Sequence, residues 1–281
     1  MFTALFEYTF LQHAVAGALL ASLACGIIGT IIVGKGYLMM SGGIAHTAFG
    51  GIGLGYFLGI EPIVGALLFS TGSSVAIAAI KRKAYANADV LVGMFWPLGM
   101  ALGVIFIALT PGYPPHMTSY LFGDILTVTT QDLMFMVALD IVVLLSVLGF
   151  YDLIKAYLFD EEFSTALGLR MCFTEYLVFI LIAITVVLMI RVVGLILILA
   201  LLCVPPTIGR MITYDLRKIM ILSIILGTLF CIGGLWISYM LGVASGASIV
   251  ILSVSSYAIA LLVKQLVTHM KQQSDSKAVN Q

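Results

Sequence analysis

Very few side chains in this chain can do chemistry, and each stands almost alone in an apolar run. His46 lies in Gly42-Gly43-Ile44-Ala45-His46-Thr47-Ala48-Phe49-Gly50-Gly51. Gly43, His46, Gly50 and Gly53 follow i, i+3, i+7, i+10 spacing, so a helix here carries an imidazole on a face of glycines that another helix or a solute can approach closely. An imidazole inside a membrane is either a functional group on a path or a hydrogen-bonding partner for a neighbouring helix. Asp140 follows Asp132 by eight residues, about 12 Å along a helix at ~1.5 Å per residue and close to the middle of a ~30 Å apolar layer. A carboxylate at that depth must pair, stay protonated or bind a cation. Asp124 sits in a short half-apolar segment, as a ligand or gate group or as a plain solvated loop acid. His13, His116 and Glu61 fall near the same surface, where interfacial decoration accounts for them.

Two further features are mechanical rather than chemical. Asp160-Glu161-Glu162 holds the three consecutive carboxylates of a chain that otherwise avoids charge. Asp160 suits an N-cap, Glu161 and Glu162 suit the positive end of a helix dipole, and Gly168 supplies a stop. The stretch 158–170 therefore reads as a short docking helix, too polar to span a membrane. Pro205 and Pro206 must kink or break the apolar run that contains them, and broken helices at membrane depth line cavities. With Gly50 they are candidates for a pathway or gate.

The elements that must hold these groups follow from composition. Of the 281 residues, 62% are hydrophobic and 9% charged, with mean hydropathy +1.18, far too little polar surface for a soluble globule of this size. The chain reads as an all-α, polytopic membrane protein, one transmembrane domain over 1–281. Nine spans are expected, with eight possible: 13–34, 37–59, 62–80, 90–110, 133–151, 176–190, 192–209, 219–241 and 245–263. The long apolar run from Tyr176 to Gly209 is cut at Arg191-Val192-Val193-Gly194, since it is too long for one span. With Lys81-Arg82-Lys83 inside, twelve of the thirteen Lys and Arg fall on the cytoplasmic side and Arg191 alone falls outside. The N-terminus is then external, and the C-terminus and the Asp160 peg are cytoplasmic. The polar stretch 272–281 is expected to be a disordered tail.

Several functions are excluded. Gly29-Thr30-Ile31-Ile32-Val33-Gly34-Lys35-Gly36 matches G-x-x-x-x-G-K, but Gly36 stands where a P-loop needs Ser or Thr, and the stretch is an apolar span. No H-E-x-x-H occurs. Asp152 and Asp124 fall on opposite sides of the membrane, so they form no proteolytic dyad. Cys25, Cys172, Cys203 and Cys231 are far apart and read as small buried hydrophobes. Zero net charge without a basic patch gives no sign of nucleic-acid binding.

Four stretches then carry a resemblance: 43–50 around His46, Leu121-Phe122-Gly123-Asp124-Ile125-Leu126, Phe159 to Leu169, and Val193-Gly194-Leu195 through Ala200-Leu201-Leu202 to Pro205. Their order and content resemble the integral-membrane permease of ABC importers for zinc, manganese and iron. The resemblance implies two copies of this subunit around a pore, a cytoplasmic ATPase subunit gripping the peg, and an external metal-binding protein that delivers a divalent cation past His46. It implies no cofactor bound by this chain. Gly42 stands where that family often has Asp, Ala45 replaces Ser and Gly50 replaces Pro. Either Asp140 or Asp124 completes the metal site, or the cargo differs. Imidazole with carboxylate suits zinc, manganese or iron alike. The alternatives are a permease for chelates such as cobalamin or siderophores, and a secondary transporter driven by protons through Asp140.

Overall fold

The computed structural model describes residues 9–84, 87–111 and 125–279. Eleven α-helices run in chain order: α1 (Thr9–Lys35), α2 (Leu38–Leu58), α3 (Pro62–Ala84), α4 (Ala88–Leu109), α5 (Thr130–Gly149), α6 (Tyr151–Phe159), α7 (Glu161–Ala166), α8 (Met171–Val193), α9 (Leu195–Ile212), α10 (Leu216–Leu241) and α11 (Ser245–Val279). A single 3-10 turn, Ile125–Thr127, precedes α5. Among the described residues, eight helices are long and apolar enough to cross a membrane. The ninth long helix, α2, has 21 residues but is diluted in hydropathy by its glycines, His46 and Thr47. Among the described residues each expected span thus has a long helix, and eight of these helices qualify as membrane spans.

Local signals set the ends. Asn87 accepts a hydrogen bond from the Asp89 amide at the start of α4, and Asp215 accepts one from the Arg217 amide at the start of α10. Thr129 and Asp132 form a reciprocal capping box on α5. The expected cut in the long apolar run falls at Gly194, whose φ of 83° and ψ of 161° lie in a region essentially reserved for glycine. One residue thereby separates α8 from α9.

The helix α1 forms the hub, packing against α5, α8, α9 and α10, and 72% of its most apolar window is buried. The glycine-rich α2 lies between α3 and α4. At the far side, α11 leans on α9 and α10 and is the most exposed span. Its backbone stays helical through Val279, across most of the stretch expected to be a disordered tail; extending an existing helix avoids the cost of a new nucleus.

Candidate functional site

His46 projects from the middle of α2 and is half-buried. Its ring stacks on Trp96 of α4 at 4.3 Å between centroids and 9° between planes, with Phe49 beyond at 6.3 Å. Its Nδ1 has no hydrogen-bond partner among the described residues. The glycine face beside it is occupied by a helix. A Cβ at Gly50 would stand 2.7 Å from the Gly99 carbonyl oxygen and 2.9 Å from the Phe69 ring, and one at Gly53 would stand 2.6 Å from the Gly103 oxygen. Gly51 and Gly55 form the second ridge, against Gly65 and Pro62 of α3. At these glycines α3 and α4 come to backbone contact with α2. One turn before His46 the picture differs: a Cβ at Gly42 would meet nothing within 4 Å.

Asp140 is 4% exposed on α5, and neither of its carboxylate oxygens has a hydrogen-bond partner among the described residues. It lies within electrostatic reach of Cys25 on α1, which in turn neighbours Cys231; Ser22 donates to the Cys231 sulfur. His46 faces α4 and Asp140 faces the α1 side of the bundle. Among the described residues no three His, Cys, Asp or Glu side chains converge on a common point. Asp124 and His116 lie outside the described residues.

Pro205 and Pro206 are both buried, and α9 continues in helical backbone through them to Ile212. The run is therefore not broken. Pro206 has no amide hydrogen to offer the Leu202 carbonyl, and that oxygen points at α1, 2.4 Å from where a Cβ on Gly29 would be. The freed oxygen instead meets a close helix crossing at a glycine.

The carboxylate peg is α7, docked at the Lys81 end of the bundle beneath the additional short helix α6, which the sequence reading did not separate from its surroundings. Asp160 is the N-cap, accepting from the Phe163 amide at 2.9 Å. Gly168 ends the turn in a left-handed conformation with φ 78°, letting the Leu169 amide reach back to the Ser164 carbonyl at 3.1 Å. The two glutamates part company. Glu162 is exposed, beside Phe159, Phe163 and Leu167, which are also exposed. Glu161 turns inward to Lys35 at 3.0 Å, Arg82 at 3.7 Å and Lys81 at 3.8 Å.

Behind Glu161 stands Glu175 of α8, fully buried and ion-paired with both Lys81 and Arg82. Lys81 also donates to the Tyr37 hydroxyl at 3.1 Å, which shares a 2.9 Å hydrogen bond with the Tyr157 hydroxyl. Lys35 donates to the Tyr157 carbonyl and lies 4.1 Å from its ring centroid. Burial, with Tyr37 and Glu175 adding to it, raises the Tyr157 phenol above its ordinary range and keeps it neutral. The sequence reading missed Glu175 and Trp96. The available signals were an acid one turn inside an apolar helix whose partner span ends in three cations, and a tryptophan next to Pro97 in the middle of an apolar span.

At the opposite end, Arg191 bridges Asp132 and Glu61, each at 2.9 Å. This accounts for the one cation that falls away from the others. The trio stands over a cavity of about 310 Å³ walled by Met136, Leu139, Ile184 and Leu188.

Residues 7–264 match the family model described as the ABC 3 transport family. The chain belongs to that family. Among curated relatives, the membrane protein slr2045 of Synechocystis sp. is 40% identical over 255 residues, covering 91% of either chain. The manganese transport system membrane protein MntC of Halalkalibacterium halodurans is 29% identical over 259 residues, 92% of this chain and 89% of that one. Among solved structures, a chain of PsaBC from Streptococcus pneumoniae in complex with Fab aligns with a TM-score of 0.84 and 28% identity, over 96% of this chain and 98% of that one. The resemblance read from four motifs thus extends along nearly the whole chain.

Proposed function

We propose that this chain is the membrane-spanning permease subunit of an ATP-driven importer, carrying a divalent transition-metal ion across the cell membrane into the cytoplasm. The observation that carries the reading is an amphipathic peg, α7 with the end of α6, held outside a polytopic bundle and presenting Glu162, Phe159 and Phe163 outward. Its inner acid is spent on the bundle, while its exposed phenylalanines and Glu162 suit a grip by another protein. A separate ATPase subunit is that partner, since this chain has no P-loop of its own. The positive-inside distribution supports a cytoplasmic Lys81 end, with the N-terminus outside and the C-terminus inside.

His46 and Asp140 are the metal-facing residues of this proposal, with Asp124 at the external entrance. The open space beside Gly42 and the single imidazole leave one chain's donor set incomplete. A second copy of the subunit, facing the first across the pore, supplies the rest during passage, and an external metal-binding protein delivers the ion. Manganese leads the candidate cargoes because relatives such as MntC bear its name; zinc and iron are the competitors, which ligand type alone does not separate.

The test is uptake by vesicles containing the permease reconstituted with its ATPase subunit. ATP-dependent accumulation of free manganese, supplied on its binding protein, is expected. Accumulation without the ATPase, or of intact chelates only, would remove the reading in favour of a secondary transporter or a chelate permease respectively.

A further inference from the structure

Four elements meet at the Lys81 end: the last turn of α1 with Lys35, the last turns of α3 with Lys81 and Arg82, the α6–α7 corner with Tyr157 and Glu161, and the first turns of α8 with Glu175. The network contains three cations and two carboxylates, so each acid is shared. Glu175 is the innermost member: it has 0% exposure and spends its two oxygens on two different cations of α3. Glu161 reaches the same two cations from the peg. Any displacement of α7 is therefore felt by Lys81 and Arg82, and Glu175 decides whether those side chains yield or carry α3 with them. In turn, α3 meets α2 backbone to backbone, since a Cβ on Gly51 would stand 2.4 Å from the Gly65 carbonyl oxygen. Around Gly51 and Gly55 no side chain stands between the two helices, so that part of the seam has no soft layer to absorb movement. The contacts run without interruption from the peg to the helix that bears His46.

We propose that Glu175 is a positioning residue for transport, the buried end of a clamp that makes α3 move with α7 and so delivers the motion of the peg to the His46 helix. The inference rests on the permease reading above. It assigns Glu175 a role through Lys81 and Arg82 rather than at the metal.

The experiment uses the assembled permease–ATPase complex in vesicles, wild type against Glu175→Gln. Manganese moved per ATP hydrolysed should fall at least about ten-fold while KM for manganese stays unchanged, because binding at His46 is not touched. A variant that leaves two half-buried cations short of a partner can also lose stability. The double variant Glu175→Gln/Lys81→Met removes the surplus charge, and it should recover wild-type thermal stability and assembly yet remain uncoupled. A purely structural Glu175 would instead regain transport in the double variant, which would overturn the proposal. A cargo-independent arm places spin labels at Thr165 of α7 and Leu58 of α2. Their distance should stay fixed on ATP binding in the wild type, where the two helices move as one, and should change in both variants. A change in the wild type, or none in the variants, overturns the clamp, whereas a wild type that holds the distance but moves no manganese overturns only the cargo.

Discussion

Replacing Asp140 with leucine should make the bundle more stable and transport weaker. Asp140 is 4% exposed, and neither oxygen has a hydrogen-bond partner among the described residues. A buried polar group left unsatisfied costs about 1–3 kcal/mol. Leucine keeps the branching at Cγ and puts methyl groups where the oxygens stand, so the penalty disappears without a cavity. The expected gain is about 1–3 kcal/mol, less whatever strain the slightly larger methyls introduce. Asparagine keeps shape and polarity but cannot carry charge, and its stability should stay close to wild type. Unfolding midpoints of the detergent-solubilised protein measure the first effect, and manganese uptake in the reconstituted complex measures the second. If the carboxylate is retained for the passing cation, both variants lose most of their uptake, while leucine gains and asparagine keeps stability. A leucine variant that is less stable than wild type and still transports would refute the reasoning, because Asp140 would then be a structural acid.

Three further outcomes follow from the geometry around α2. The His46→Ala variant should assemble normally, losing about 0.5–1.5 kcal/mol with the Trp96 stack, and should show reduced manganese uptake; unchanged uptake kinetics would take His46 off the path. Gly42→Asp restores a carboxylate one turn from His46 at a position where a Cβ meets nothing within 4 Å, so it should fold and lower the KM for manganese, read by uptake at graded metal concentrations. Gly53→Ala drives a methyl to 2.6 Å from the Gly103 carbonyl oxygen, and the α2–α4 seam must open at a cost of about 1–3 kcal/mol, seen as a lower unfolding midpoint.

The spans, the Gly194 break and the Asp160 cap were legible in the sequence because each is a local matter. In lipid a segment must satisfy its own backbone, so an apolar run of sufficient length becomes a helix whatever its neighbours are. A cap bonds to an amide three residues away, and a glycine-only backbone conformation marks itself. Even the lone Arg191 was legible as an exception, although its partners Asp132 and Glu61 were not. The sites were less so. The glycine spacing around His46 announced a close approach but could not say whether a helix or a solute makes it; α4 does, with Trp96 against the imidazole. The two prolines announced a lost hydrogen bond without saying that Gly29 of α1 would take up the freed carbonyl by close approach.

By itself, then, the sequence determined that this is a bundle of about nine helices with a short acidic peg at its more basic end and isolated polar groups at depth. Only the tertiary structure decided which of two adjacent glutamates faces the bundle, which acid neutralises Lys81 and Arg82, and that His46 and Asp140 look to different helices. The physical reason is the same in each case. Helix formation in an apolar solvent is settled within a few residues along the chain, whereas a side chain's partner is whatever another helix brings to it. Glu161 and Glu175 lie fourteen positions apart and meet at Lys81 and Arg82, a meeting that only the packing of α3, α7 and α8 creates.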